Sequence, residues 1–184
     1  ETNLRVSGVF HKVNLHDVAF LQYTSGSTSD PKGVMITHNN LKVNCNVIKQ
    51  KFCLNEASIS VTWAPFFHDL GLVYGVLTTV FSGITTVIME PTTFIQKPVR
   101  WLQAISKYKA THSGGPNFAY QLCCDKIAQE EIRELDLSCW KVAFNGAEPV
   151  HAKTLTSFTK RFEFVGFQHQ AHCPVYGLAE STLM

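Results

Sequence analysis

The stretch "QYTSGSTSDPKGV", Gln22 to Val34, sets Thr24, Ser25, Ser27, Thr28 and Ser29 among two glycines, a proline and a single lysine, directly after the apolar run Val18 to Leu21. Backbone N–H groups in a loop of small residues can turn toward an anion, and Ser and Thr hydroxyls add donors without bulk. Gly26 and Gly33 leave the backbone accessible, and Lys32 supplies one point charge suited to a phosphate oxygen. The order Pro31-Lys32-Gly33, with no Ser or Thr after the lysine, departs from a Walker A loop. Composition alone leaves two readings open, phosphate binding and an ordinary flexible Ser/Thr loop.

Four more polar turns follow apolar runs: "APFFHDLGL", "GGPN", "NGAEP" and "YGLAEST". His68 begins one of them, where an imidazole can donate to an oxygen, although a lone His beside two Phe residues also suits packing. Asp69 can cap a helix starting near Leu72 or support the site through a hydrogen bond. No G-x-S-x-G elbow or evident Ser/His/Asp triad is present. In "HQAHC", His169, His172 and Cys173 lack a second Cys/His pair at zinc spacing, which favours a core or surface role over a metal.

The elements that must position these turns are strands and helices in alternation. "VAFLQY" (Val18 to Tyr23), "SISVTW" (Ser58 to Trp63), "TTVIM" (Thr85 to Met89), "ATHSG" (Ala110 to Gly114), "KVAFNG" (Lys141 to Gly146) and "CPVYG" (Cys173 to Gly177) read as strands bounded by turn residues. Helical spacing joins Leu41, Cys45, Ile48 and Phe52, and again Val99, Leu102 and Ile105 after Pro98. Pro116 opens "PNFAYQLCCDKIA", and "HAKTLTSFTKRF" contributes Leu155, Phe158 and Phe162. The pattern predicts an α/β fold with a largely parallel sheet and flanking helices, whose ligand sites lie at the carboxyl ends of strands. Five polar turns on one edge would then form one composite site.

With 184 residues, 45% of them apolar, and a net charge of +2, the chain can bury a sizeable core, which argues against a disordered or strongly nucleic-acid-binding chain. Cys45, Cys53, Cys123, Cys124, Cys139 and Cys173 follow no regular disulfide framework, so reduced thiols and a cytoplasmic location are expected. Leu70 to Met89 carries no charge over twenty residues, but its Thr, Ser, Gly and Tyr content and the "SGITT" break fit a buried helix, Leu72 to Phe81, followed by a buried strand, rather than a transmembrane segment. Both ends look cut, so residues 1–184 are read as one undivided fragment of a longer domain.

"TSGSTSDPKG" followed by "FFHDLGL", "FNGAEPV" and "YGLAEST" resembles the ordered motif series of the adenylate-forming superfamily of acyl-CoA synthetases, adenylation domains and luciferases. "KPVRWLQAISKYKATHSGGPNFAYQLC" and "LDLS" extend the resemblance to the fatty acyl-AMP ligase branch, from Ala19 to Leu183. The resemblance implies a fragment of the large N-terminal AMP-binding domain of an enzyme that uses ATP and Mg2+ to convert a fatty acid to acyl-adenylate, releasing pyrophosphate and serving an acyl carrier protein. Such chemistry asks for orientation and charge stabilisation, since a carboxylate is already ionised near neutral pH and needs no general base.

By the same resemblance, Thr24, Ser25, Gly26, Ser27, Thr28, Lys32 and Gly33 would hold the β- and γ-phosphates and Glu180 would bind Mg2+. Tyr176 and Gly177 would lie against the adenine, with Gly146, Ala147, Glu148 and Pro149 as the opposite wall. His68 would approach the carboxylate and α-phosphate. The acyl chain would draw on the helix from Gly71 to Val76 and on Gly114, Gly115, Pro116, Asn117, Phe118 and Tyr120, the last two equally suited to plain packing. Ser29 replaces the usual Gly of the phosphate loop, and Ala179 stands where the wider motif has Thr, so Thr182 would supply a nearby hydroxyl.

The resemblance also implies a ribose-binding Asp and a mobile C-terminal domain beyond Met184, so the fragment alone is expected to make little or no acyl-adenylate. Two rival readings remain, an acyl-CoA synthetase of the same fold and a non-catalytic nucleotide- or lipid-binding module.

Overall fold

The computed structural model describes residues 12–24 and 31–184, and in it the alternating apolar runs become a five-stranded parallel sheet covered on both faces. Its strands are β3 (Ile59–Thr62), β4 (Thr85–Ile88), β5 (His112–Gly115), β6 (Val142–Asn145) and β7 (His172–Pro174), in the order β4-β3-β5-β6-β7. The chain steps from β3 to β4 on one side, then crosses back to β5 on the other. Open sheets of this kind receive ligands in the crevice outside the carboxyl ends of their strands, near such a reversal.

The helices are α1 (His38–Lys51), a π-helix (Leu70–Thr78), α2 (Thr79–Ser82), α3 (Pro91–Gln96), α4 (Val99–Tyr108), α5 (Asn117–Lys126), α6 (Gln129–Ile132) and α7 (Ala152–Phe162). Successive strand residues face opposite sides of a sheet. On β6, Ala143 therefore joins Trp101, Tyr120 and Phe158 from α4, α5 and α7, whereas Phe144 joins Ile48 of α1 and Tyr74 of the π-helix. Buried polar groups are tied into this core: Trp101 Nε1 donates to Ser113 Oγ at 2.8 Å, Ser113 Oγ donates to the Val61 carbonyl at 2.7 Å, and the Tyr120 hydroxyl donates to the Phe144 carbonyl at 2.7 Å.

Three expectations are corrected. The first apolar run does not enter the parallel sheet; β1 (Val18–Thr24) pairs antiparallel with β2 (Lys32–Thr37) as a separate two-stranded sheet. The connection of residues 25–31 is too short for a parallel crossover, which needs about a dozen residues or more, and permits only a hairpin. The run expected as one buried helix from Leu72 to Phe81 is a π-helix followed by one turn of α-helix, with Val80 and Phe81 exposed. Third, the strand expected to be buried after that helix, Thr85 to Met89, is β4 at the edge of the sheet, with Thr85 and Ile88 exposed because it has a neighbour on one side only.

In "HQAHC", His172 is half-buried, and burial pushes its pKa down to about 4. Among the described residues no group of three or more His, Cys, Asp or Glu could hold a metal ion. No helix among them is long and apolar enough to cross a membrane.

Gly114 illustrates how tightly β5 and β6 approach: a Cβ there would lie 2.1 Å from the Phe144 carbonyl oxygen, an atom of the neighbouring strand that no rotamer change can move. Gly114→Ala is accordingly predicted to destabilise the protein by at least about 1–3 kcal/mol, read as a lower urea midpoint or loss of soluble protein. An unchanged midpoint would show that the sheet accommodates the methyl group.

Candidate functional site

The chain leaves β3 at Thr62 and reaches the π-helix through Phe66, Phe67, His68 and Asp69. Asp69 is the N-cap of that helix, its Oδ1 accepting the Leu70 N–H at 2.6 Å while lying 2.8 Å from His68 Nδ1. The Leu70 N–H is also 3.1 Å from His68 Nδ1, but two donors do not bond each other. The carboxylate takes both, which puts a proton on Nδ1 and turns Nε2 to the far side of the ring. The hydrogen bond that His68 donates to Asp69 raises the His68 pKa above the ordinary imidazole value, against the opposing effect of partial burial.

The turn after β6 holds Ala147 at φ +68°, in the left-handed region that residues with a Cβ seldom occupy. After β7, Tyr176 is 83% exposed, and a Cβ on Gly177 would lie 1.6 Å from the Leu183 carbonyl oxygen, so the chain can fold back on itself only at a glycine. The segment carrying Glu180 is fastened from α1, where buried Asn44 donates from Nδ2 to the Ser181 carbonyl at 3.2 Å and to the Met184 carbonyl at 2.6 Å. Thr182 in that segment is buried with φ +76°, a second strained position beside the site.

These segments enclose a cavity of about 400 Å³, a volume typical of small-molecule sites. The end of β1 contributes Gln22, Tyr23 and Thr24; the turn after β3 contributes residues 67–70; the turn after β6 contributes Gly146 and Ala147; the turn after β7 contributes residues 175–180. An exposed aromatic ring, a carboxylate, a protonatable imidazole and open backbone thus face one space. No Ser or Cys is among the described residues that line it. The arrangement can stack a flat base and bind an anion.

Residues 5–184 match the protein family described as AMP-binding enzyme. The chain belongs to this family. It is 51% identical over 94% of its length to the medium-chain-fatty-acid–[acyl-carrier-protein] ligase JamA of Moorena producens, and it covers 29% of that protein. Among solved structures it is similar to a fatty acid AMP ligase from Legionella pneumophila, with a TM-score of 0.92 and 49% identity, over 95% of this chain and 30% of that one. It is likewise similar to a fatty acyl-adenylate ligase from L. pneumophila in complex with acyl adenylate and pyrophosphate, with a TM-score of 0.89 and 48% identity, over 92% of this chain and 30% of that one. Within the AMP-binding enzymes, the resemblance is therefore to the fatty acyl-AMP ligases, of whose length the chain spans under a third.

Of the residues that the motifs single out, Thr24, His68, Gly146, Ala147, Tyr176, Gly177 and Glu180 line this cavity. Ser25, Gly26, Ser27, Thr28 and Ser29 lie outside the described residues. Lys32 and Gly33, expected in a loop, are in β2, where Lys32 is in register with Thr24. Pro149 and Thr182 are not among the walls, and neither is Glu148, whose carboxylate instead accepts the Phe118 N–H at 2.6 Å.

The expected acyl-chain residues also stay off the cavity wall. Gly114 and Gly115 are buried inside β5, with the Trp63 ring lying across Gly115, and Gly71 is pressed against the Pro65 carbonyl. Pro116 is the N-cap of α5, Phe118 sets its ring edge-on to Trp63 at 6.2 Å, and Tyr120 belongs to the core. Two contributors carried no sequence signal. Phe67 is 88% exposed although a Phe after an apolar strand reads as core, and Asn44 acts on backbone 137 and 140 residues away.

The His68–Asp69 pair gives a direct test. His68 is predicted to titrate above about 6.5, remaining protonated as pH rises past that value and losing its contribution to stability only through its folded pKa. Asp69→Asn should lower the midpoint measured by NMR of the imidazole; a His68 midpoint at or below the ordinary value in the wild type would contradict the pairing.

Proposed function

We propose that residues 1–184 are a piece of the N-terminal AMP-binding domain of a longer, cytoplasmic fatty acyl-AMP ligase. The enzyme would use ATP to convert a fatty acid to acyl-adenylate, releasing pyrophosphate, and pass the acyl group to an acyl carrier protein. One observation carries this reading: the end of β1 and the turns after β3, β6 and β7, four segments bearing separate motifs, converge on a single cavity. The similarity to a medium-chain-fatty-acid–[acyl-carrier-protein] ligase and to a fatty acyl-adenylate ligase in complex with acyl adenylate and pyrophosphate supports it.

In the proposed reaction a fatty acid carboxylate oxygen attacks the α-phosphorus, a new P–O bond forms, the bond to the β-phosphate oxygen breaks, and pyrophosphate leaves with its electron pair. No proton need be removed from the nucleophile. The requirement is to hold both reactants and to stabilise charge on the phosphates. Tyr176 would stack on the adenine opposite the Gly146–Ala147 backbone. His68, kept protonated by Asp69, would donate from Nε2 to an oxygen of the carboxylate or α-phosphate. Thr24, Ser25, Gly26, Ser27, Thr28 and Gly33 would cradle the departing pyrophosphate, with Lys32 as its counter-charge.

The donor set also fits Mg2+. Glu180 is an exposed oxygen ligand on the cavity wall, and Mg2+ is commonly held by one or two carboxylates together with substrate phosphates and water. When bound, that ion would neutralise charge on the phosphates. Glu180 would hold it.

The test is to incubate the full-length protein with ATP and fatty acids of graded length and identify the products by mass spectrometry. Acyl-AMP, transferred to a holo carrier protein and not to CoA, is the expected outcome; acyl-CoA would favour the synthetase reading, and no fatty-acid-dependent product the binding module. Lys32→Ala and Glu180→Gln should each lower adenylation by roughly 10²-fold or more with the fold intact by circular dichroism. Unchanged pyrophosphate release in either variant would remove that residue from its role.

A further inference from the structure

Helix α5 begins at Asn117 after Pro116 and has no side-chain cap from its N-cap residue. The missing acceptor comes from thirty residues away, where Glu148 Oε1 takes the Phe118 N–H at 2.6 Å. A carboxylate at a helix N-terminus is favoured by the helix dipole and by its charge-assisted hydrogen bond. A second set of bonds runs beside it. Buried Asn117 accepts the His151 N–H at Oδ1, 3.1 Å away, and donates from Nδ2 to Thr154 Oγ1 at 3.3 Å.

The segment between β6 and α7 is thereby fastened to α5 at Glu148 and at His151, while its start is fixed where the Gly146 N–H meets the Gly115 carbonyl at 3.4 Å. Between these fastenings sits Ala147, in the left-handed region, and with Gly146 it forms one wall of the cavity. A non-glycine residue keeps such a conformation only when its surroundings hold it there.

We propose that Glu148 and Asn117 are positioning residues for the Gly146–Ala147 wall: they do not touch the nucleotide but fix the backbone against which it binds. This rests on the nucleotide reading of the cavity given above. It also joins the first turn of α5 and the nucleotide wall into one mechanical unit, because the same two side chains terminate both.

The experiment is steady-state kinetics and backbone hydrogen exchange on the full-length protein. Glu148→Ala is expected to raise the KM for ATP about tenfold, the effect of one charge-assisted hydrogen bond, with kcat within about threefold and with faster exchange at both Phe118 and Ala147. Glu148→Gln keeps an oxygen acceptor for the Phe118 N–H and should restore most of the ATP KM and the slow exchange. The proposal is overturned if Glu148→Gln is as impaired as Glu148→Ala, since the carboxylate would then act on the ligand itself. It is equally overturned if Glu148→Ala leaves the ATP KM and the Ala147 exchange unchanged. Should Glu148→Ala not fold, Glu148→Gln decides: wild-type exchange and KM support the clamp, and a loss of ATP affinity with wild-type exchange contradicts it. A wild-type protein without ATP- and fatty-acid-dependent turnover would remove the reading of the cavity instead, and the exchange comparison would still decide the clamp.

Discussion

The row Gly115, Asn145 and Pro174, held in register across β5, β6 and β7, sets the level at which three turns leave the sheet. Asn145 is buried in the middle of that row, and its carbonyl accepts the Val175 N–H at 2.8 Å just beyond the end of β7. Because every pairing in the sheet is parallel, each helical return brings the chain back to start another strand in the same direction, so all the carboxyl ends open on one edge. The β1–β2 hairpin, outside the sheet, supplies the remaining wall through Thr24 and its neighbours. A slip of one residue in β6 would turn Ala143 and Phe144 to the wrong cores and carry the Gly146–Ala147 turn out of alignment with the Tyr176 turn.

The rigid and the adaptable parts are separated accordingly. Core aromatic residues and satisfied buried hydroxyls fix the sheet and its helices, and the groups with chemistry sit on turns just beyond the strand ends. Those turns are braced by second contacts: Asp69 on His68, Asn44 on the Glu180 segment, and Glu148 with Asn117 on the Ala147 turn. Strained backbone at Ala147 and Thr182 falls in the same small region. Adenylate formation, as proposed, needs no protein nucleophile, and a site built from oriented donors, exposed rings such as that of Tyr176 and the Glu180 carboxylate matches that requirement.

Much of the fold was legible in the sequence because its parallel strands are short apolar runs bounded by Gly, Pro and Asn, and because α4 and α7 carry clear apolar faces at Leu102, Ile105, Phe158 and Phe162. The hairpin was not, since the apolar part of Lys32–Thr37 is only Val34 to Ile36 and pairing direction depends on a connection length read only once both strands are known. At the site, motif residues marked the turns but not where each side chain goes. Glu148 lies one residue beyond Ala147 and yet points to α5, and Gly114 and Gly115 serve the sheet because Phe144 and Trp63 occupy the space a side chain would need. Contacts of that kind depend on partners tens of residues away, and no local spacing encodes them.

The central claim is that an acyl-adenylate occupies the cavity between the hairpin and the carboxyl ends of β6 and β7. A crystal structure of the full-length protein with a non-hydrolysable acyl-adenylate analogue tests it most directly. The account predicts the adenine stacked on Tyr176 against the backbone of Ala147, with the linking anionic centre near His68 Nε2. An analogue bound elsewhere, for example in the groove that Lys97, Leu122 and Lys126 line between α3 and α5, would contradict it.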